Sequence, residues 1–460
     1  MVYPNGVTVA GGTLRGSGTH YDLALAQALG VREIPLDSVV AMDSFRTDTN
    51  VAQTVAFSTL ASVGAVIGTV AMSIALFGSC PTVYSGDGVV EEAELFFSSI
   101  APLFEARDVD RLRARPDQNE RLTLEIRNEA METHYINHLQ VLEVEHEAGE
   151  LVLPDQQGRP VIVGGLTAPE SVTDSTGRDV LEIVRAADDR FYSADRDRVE
   201  SVTLQQMEDW IDVEAAMPGG AVEAVLVLRL RNSLLSTVLL YDEMLGPMGA
   251  SALDWLGGNL SEISTAVELG RWHQKLAGLH VETLVDGQYQ EVTRIPDSGP
   301  ISWHDVAVVV PVDPRSHSLQ VRMRFITDYW RIDSVGIGSR TRDANPRPID
   351  VTEVTGPSGD TEIAGLDRLQ APDQGYLQTT PGRRFFAHFD VGKGDSNKAR
   401  SFLLASQGYY TEWVRGDWIR NASTSTFEPT DAVLLDAIHR WAGMREDFEH
   451  RFLTNRVPVQ

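Results

Sequence analysis

No charged residue occurs between Thr49 and Ser85, in a chain of 460 residues of which 23% are charged. Within that window, residues 51–77 run for 27 positions without a proline. An α-helix rises about 1.5 Å per residue and a bilayer core is about 30 Å thick, so roughly 20 apolar residues suffice to cross it. The segment therefore predicts a single transmembrane helix over residues 49–79. Gln53, Thr54, Ser58, Thr59, Ser62, Thr69 and Ser73 dilute its apolar character. The alternative is a buried core helix, but core helices rarely run this far without one charge on a solvated face. Gly64 and Gly68, flanked by Ala61 and Ala65, form a small-residue face against which a second membrane helix could pack closely.

The flanks of this segment suggest an orientation. Arg32 and Arg46 precede it, whereas no lysine or arginine follows until Arg107. Asp87, Glu91, Glu92 and Glu94 occupy the second flank. The positive-inside rule then places residues 1–50 in the cytoplasm and residues 86–460 outside. The N-terminus has neither a basic stretch nor an apolar one, so no cleavable signal peptide is expected to open the chain. A formal net charge of −27 repels phosphate backbones, which excludes nucleic acid as an expected partner. Cys80 is the only cysteine, so no intrachain disulfide can form. The Phe77-Gly78-Ser79 preceding it loosely matches the site before a lipidated bacterial cysteine; a small residue closing the helix is the simpler reading.

The rest of the chain reads as mainly β with some α, in antiparallel sandwiches of the jelly-roll or immunoglobulin kind. Residues 1–48 are punctuated by Gly6, Gly11, Gly12, Gly16 and Gly18 and read as a small β module with hairpin turns. In 121–127, Leu122, Leu124 and Ile126 alternate with polar neighbours, the period of a half-buried strand. Strands are also expected at 139–144, 151–152, 222–230, 281–285, 306–312, 319–325 and 329–337, and β or mixed structure at 383–391 and 401–413. Asp286-Gly287 is a hairpin signal. Helices are expected at 232–245 and 261–276, and helix or mixed structure at 180–186 and 204–210. Residues 341–361, rich in Pro, Gly, Asp and Thr, read as a linker. Leu434, Ile438, Trp441, Phe448 and Phe452 fall at helical spacing over 431–453, with Thr430 as N-cap. These boundaries predict a β-rich domain at 80–168, a sandwich with helical insertions at 169–340, and a β/mixed region ending in a helix at 341–460.

Chemistry is sparsely signalled. His134 and His138 lie four apart with Glu132 and His146 nearby, a spacing that puts two imidazoles on one face of a helix or a strand. Tyr135 stands where a zincin carries its glutamate, so ordinary hydrogen-bonded histidines are expected and no metal. Asp108/Asp110 and Asp195/Asp197 lack the glycine and distal glutamate of a calcium loop and read as solvated acids. There is no Gly-x-Ser-x-Gly elbow, no Ser-x-x-Lys and no phosphate-binding loop. Trp413 and Trp418 could stack on a sugar, but clustered aromatics more often close a core.

Four stretches, 79–85 (SCPTVYS), 128–138 (NEAMETHYINH), 329–337 (YWRIDSVGI) and 401–418 (SFLLASQGYYTEWVRGDW), together resemble a family of bacterial envelope proteins with no established activity. The resemblance covers most of residues 79–420 and implies an envelope location and a β-rich fold, without catalytic residues. Residues 329–337 are also similar to the closing strand of galactose-binding-like jelly rolls. The combined expectation is a non-enzymatic single-pass protein of the bacterial inner membrane, its bulk periplasmic. It would serve as scaffold or accessory subunit of a respiratory, photosynthetic or transport complex. Its partners would be the bilayer and other membrane proteins, with no cofactor. The competing expectation is an envelope carbohydrate-binding protein or glycan hydrolase.

Overall fold

The computed structural model describes residues 3, 6–21, 28–39, 41–42, 80–85, 88 and 90–459, apart from 218–219, 259, 261, 286, 374, 421–426 and 455. The expected membrane helix at 49–79, with Ala61, Gly64, Ala65 and Gly68, lies outside the described residues. Among those described, no helix is long and apolar enough to cross a membrane.

The chain is mainly β, with two pairs of facing five-stranded sheets. In the first pair, one sheet runs in the order Glu353–Thr355, Arg384–Asp390, Arg121–Arg127, Thr82–Ser85, Val90–Glu94. Its partner runs Arg347–Asp350, Glu132–His146, Ala399–Glu412, Ala106–Leu112, with Leu377–Thr379 also paired to Glu132–His146. Alternation sets the inward faces: Leu122, Leu124 and Ile126 on one sheet meet Ile136, Leu139, Val141, Phe402 and Leu404 on the other in one buried cluster. The expected linker at 341–361 is not a linker. Its sparse apolar residues Ile349, Val351 and Val354 are buried, and they suffice to pin two short strands onto this first sandwich.

Between the two stretches that build this sandwich, the chain builds a second one. Its sheets run Leu151–Pro154, Pro160–Thr167, Trp330–Asp343, Glu223–Asn232, His304–Pro311, and Ser171–Asp174, Glu208–Ala216, Ser318–Ile326, Leu279–Val285, Gln288–Ile295. From Glu208 to Asp343 the chain crosses repeatedly from one sheet to the other. In Ser318–Ile326, Leu319, Val321, Met323 and Phe325 face the core, while Arg322 and Arg324 pair outward with Asp212 and Glu282. Val285 stands opposite Gln288 in an antiparallel pair, with Gly287 at φ 79°. Residues 180–186 and 204–210 are not helical. Val180 and Val184 are both buried, which imitates a helical stripe, but the segment is a series of turns, and Glu208–Ala216 is a strand.

Helices cap this second core. Leu235–Val238 continues into a π-helical Leu239–Leu245, and Ile263–Leu276 follows. Asp431–Thr454 lays Leu434, Ile438, Trp441, Phe448 and Phe452 into the same cluster. Thr430 Oγ1 accepts from Val433 N at 3.4 Å, satisfying one otherwise orphaned donor at the helix start.

The N-terminal stretch belongs to this body. Thr8–Ala10, Thr13–Tyr21 and Ala28–Pro35 form a small sheet, with Gly11 and Gly12 at positive φ closing its first hairpin. Leu36 is buried in the second core, and Ala41–Met42 pairs with Val414–Arg415. Paired strands lie about 4.8 Å apart, so Ala41–Met42 sits directly against Val414–Arg415.

Candidate functional site

Glu132 and Glu412 stand directly opposite each other on the two longest neighbouring strands of the first sandwich. So do His134 and Tyr410, two pairs further along and so on the same face. Like charges facing each other across an antiparallel ladder repel, and more strongly when dry. Glu132 and Glu412 are both buried, each within reach of the other's charge or hydrogen bonding. Burial raises Glu132 to about 7 and lifts Glu412 well above the carboxylate range. Arg415 supplies the compensating cation at 3.1 Å from Glu412, and its guanidinium also donates to the carbonyls of Met131 and Trp413. Tyr241, from the π-helical turn of the second sandwich, donates to Glu412 Oε1 at 2.6 Å.

Cys80 enters beside this pair. It is 1% exposed, its thiol donates to the Phe97 carbonyl at 3.8 Å, and burial followed by the charges of Glu132 and Glu94 pushes it well up. A thiol so enclosed leaves no room for a lipid, and cleavage before it would remove the buried Leu36 and the Ala41–Met42 strand. Residues from three of the four motif stretches thus meet here: Cys80, Glu132 with His134, and Tyr410 with Glu412 and Arg415.

Two further acids of the first sandwich reach across to the second. Glu94 Oε2 accepts from Ile301 N at 2.8 Å, and burial raises Glu94 to about 8. Gly299 makes the approach possible, since a Cβ there would lie 2.3 Å from Glu94 Oε2 and the backbone φ is +89°. Asp110 is bonded to His304 Nδ1 at 2.7 Å, and its second oxygen is buried without a hydrogen-bond partner. Burial and the adjacent Asp110 push Asp108 upward. Burial alone would lower His304, but the bond and charge of Asp110, with Asp108 and Asp305 behind it, raise it. The pair Asp108/Asp110 is therefore not a solvated surface feature, in contrast to the exposed Asp195 and Asp197. The remaining seam is apolar, with Val109, Leu142, Val144, Leu403 and Ala405 against Val152 and Ile162.

The histidine pair is divided by local geometry. A β-bulge between Ile136 and His138 shifts the alternation by one residue, so His134 shares the inner face with Ile136 while His138 falls on the outer one. His134 is fully buried, 3.1 Å from Glu132 and 3.4 Å from Thr379 Oγ1; burial lowers the half-exposed His138. His146 bonds Ser401. Among the described residues no group of three or more His, Cys, Asp or Glu side chains is arranged to hold a metal ion. Trp413 and Trp418 are buried, Trp413 donating to Thr133 and Trp418 tilted against Tyr241.

A shallow cavity of about 240 Å³ lies elsewhere, between the π-helical turn and the C-terminal helix, lined by Glu243, Met244, Met248, Phe427 and Val433 among others. It does not reach the buried acids.

No family model matches the chain, and no curated protein does. Among solved structures, a cycloalternan-forming enzyme from Listeria monocytogenes, in complex with a pentasaccharide substrate, aligns at 13% identity. The match covers 47% of this chain and 20% of that one, with a TM-score of 0.17. An allantoicase aligns at 10% identity over 51% and 83% of the two chains, with a TM-score of 0.17. An α-xylosidase from Xanthomonas citri aligns at 11% identity over 71% and 29%, with a TM-score of 0.15. The chain thus spans a fifth of the length of the first of these, and likeness at this level carries no argument about activity.

Proposed function

We propose that this chain is a non-catalytic scaffold or accessory subunit that attaches to a membrane assembly through its uncharged segment without spanning the bilayer. One observation carries the reading: both ends of the interval 43–79 are rooted in one region of the body. Met42 is paired with Val414, and Cys80 is buried beside Glu132 and Glu412. A 27-residue apolar run is too short to cross twice, which takes roughly 40 residues. Insertion from one side is the arrangement compatible with both facts. The positive-inside assignment of that side lapses with the single pass, because Arg32 belongs to the same body.

The titratable groups support a structural role, since the most perturbed ones are buried under side chains and joined to one another. In this reading both sandwiches are of the jelly-roll or immunoglobulin kind, as the repeated crossing between sheets in the second suggests. A glycan-directed role would need open ring faces. Trp413 and Trp418 are buried, and on the exposed sheet face Arg322 lies over both Trp210 and Tyr289.

Flotation of the full chain with lipid vesicles tests the reading. We expect co-flotation, its loss in a Val66→Asp/Val70→Asp variant, and protease access to tags at both termini from the same face. Failure to float, or tags on opposite faces, would overturn it.

A further inference from the structure

We propose that the joint between the two sandwiches is held by protons: carboxyl groups of the first sandwich close it when neutral and loosen it when ionised. The geometry that carries this is the burial of acids where the sandwiches meet. Glu94 at Ile301 N and Glu412 at Tyr241 are buried against the second sandwich, and Glu412 faces the equally buried Glu132 with Arg415 beside them.

The groups that face this centre come from every element packed against it. Facing Glu132 and Glu412 are His134 and Tyr410 on the same strand pair, Cys80 on the incoming chain, Tyr241 from the π-helical turn, and Arg415; Asp417 lies further off. Facing Glu94 are Arg456 from the C-terminal tail, Glu91, Glu132, Cys80, and Arg231 of the second sandwich, whose guanidinium donates to the Ile301 carbonyl. Facing Asp110 are His304 and Asp108, with Asp305 held by Arg111 and Arg229. Two carboxylates opposite one guanidinium in a dry site cannot both ionise without an uncompensated charge. Burial raises both Glu94 and Glu132, in the same direction.

The folded joint therefore binds protons that the open joint releases. Its closure is favoured below the ordinary carboxylate range and weakens as pH rises through about 7 to 8. This device depends on the joint alone and stands whether or not the chain meets a membrane.

Hydrogen exchange of the full chain at pH 6 and pH 9, corrected for intrinsic rates, reads it directly. We expect protection at 94–101, 239–246, 298–304 and 408–415 to fall at least about tenfold at pH 9, because a carboxyl group that holds its proton tenfold more tightly in the closed joint changes the opening equilibrium by that factor. Protection at 122–127 and 319–326 should be retained. A Glu94→Gln/Glu412→Gln variant, which keeps neutral side chains at every pH, should hold its pH 6 pattern at pH 9. Equal joint protection at both pH values, a uniform loss across all segments, or wild-type pH dependence in the variant would each overturn the proposal. Should the variant not fold, the wild-type contrast between joint and strand interiors decides alone.

Discussion

Two buried charge networks in this molecule are built on opposite plans. The C-terminal helix is clamped by Asp328, which is 1% exposed and accepts from Arg331, Arg445, Trp441 Nε1 and Ala194 N at 2.7 to 3.2 Å. Arg331 also pairs with Glu449 at 3.0 Å, so two acids meet two guanidiniums and no proton is needed. At the sandwich joint, Arg415 is the one guanidinium among the described residues that Glu132 and Glu412 share, and the deficit is filled by a bound proton. Burial by itself therefore does not make a network pH-sensitive. The count of opposite charges within reach does.

Breaking the balanced clamp should cost the most. Asp328→Ala leaves Arg331 buried with one partner removed, and a loss of about 3–5 kcal/mol is expected in denaturant unfolding. That loss should be nearly the same at pH 6 and pH 9, because no proton is exchanged. A strongly pH-dependent loss would erase the distinction between the two networks.

The unbalanced joint should instead give the wild-type chain a slope. Glu94 is raised in the folded state to about 8, so its contribution is fully present below the unfolded value near 4.5. It is lost as pH rises to about 8, by an amount of order a few kcal/mol. Glu94→Gln should flatten that slope in unfolding free energies measured between pH 5 and 9; an unchanged slope would place the titrating group elsewhere. Tyr241→Phe removes the donor that crosses the joint to Glu412, and about 1–3 kcal/mol should be lost in the same assay. Thr430→Ala, far from both networks, removes one helix cap and should cost about 0.5–1 kcal/mol in thermal or denaturant unfolding, with no pH dependence.

The strands were legible where one face is apolar and the other wet. Arg121–Arg127, Glu223–Asn232 and Ser318–Ile326 are found within a residue or two of where alternation puts them, and Asp431–Thr454 follows its helical stripe. What alternation does not encode is which distant strand pairs with which. Arg347–Asp350 and Glu353–Thr355 carry too few apolar residues to stand out from Pro and Gly neighbours, yet they close the first sandwich. The joint was only half legible. Glu412 is in phase with the core positions Phe402 and Leu404, a readable sign that an acid points inward. Its partner Tyr241 lies 171 residues away in the chain, and nothing local announces that meeting. The bulge at Asn137, which separates His134 from His138, has no signature in a stretch without glycine or proline. For Asp108 and Asp110, solvent exposure was the natural reading of paired acids; burial comes from His304 on another sheet.

Infrared absorption of the carboxylic-acid carbonyl counts neutral carboxyl groups in the folded chain, and so reads the protons of the joint themselves. At pH 6, where ordinary aspartates and glutamates are ionised, we predict a neutral-acid band that weakens by pH 9 and is diminished in Glu412→Gln. A folded protein with no such band at pH 6, or one whose band is unchanged in Glu412→Gln, would contradict a joint held by protons.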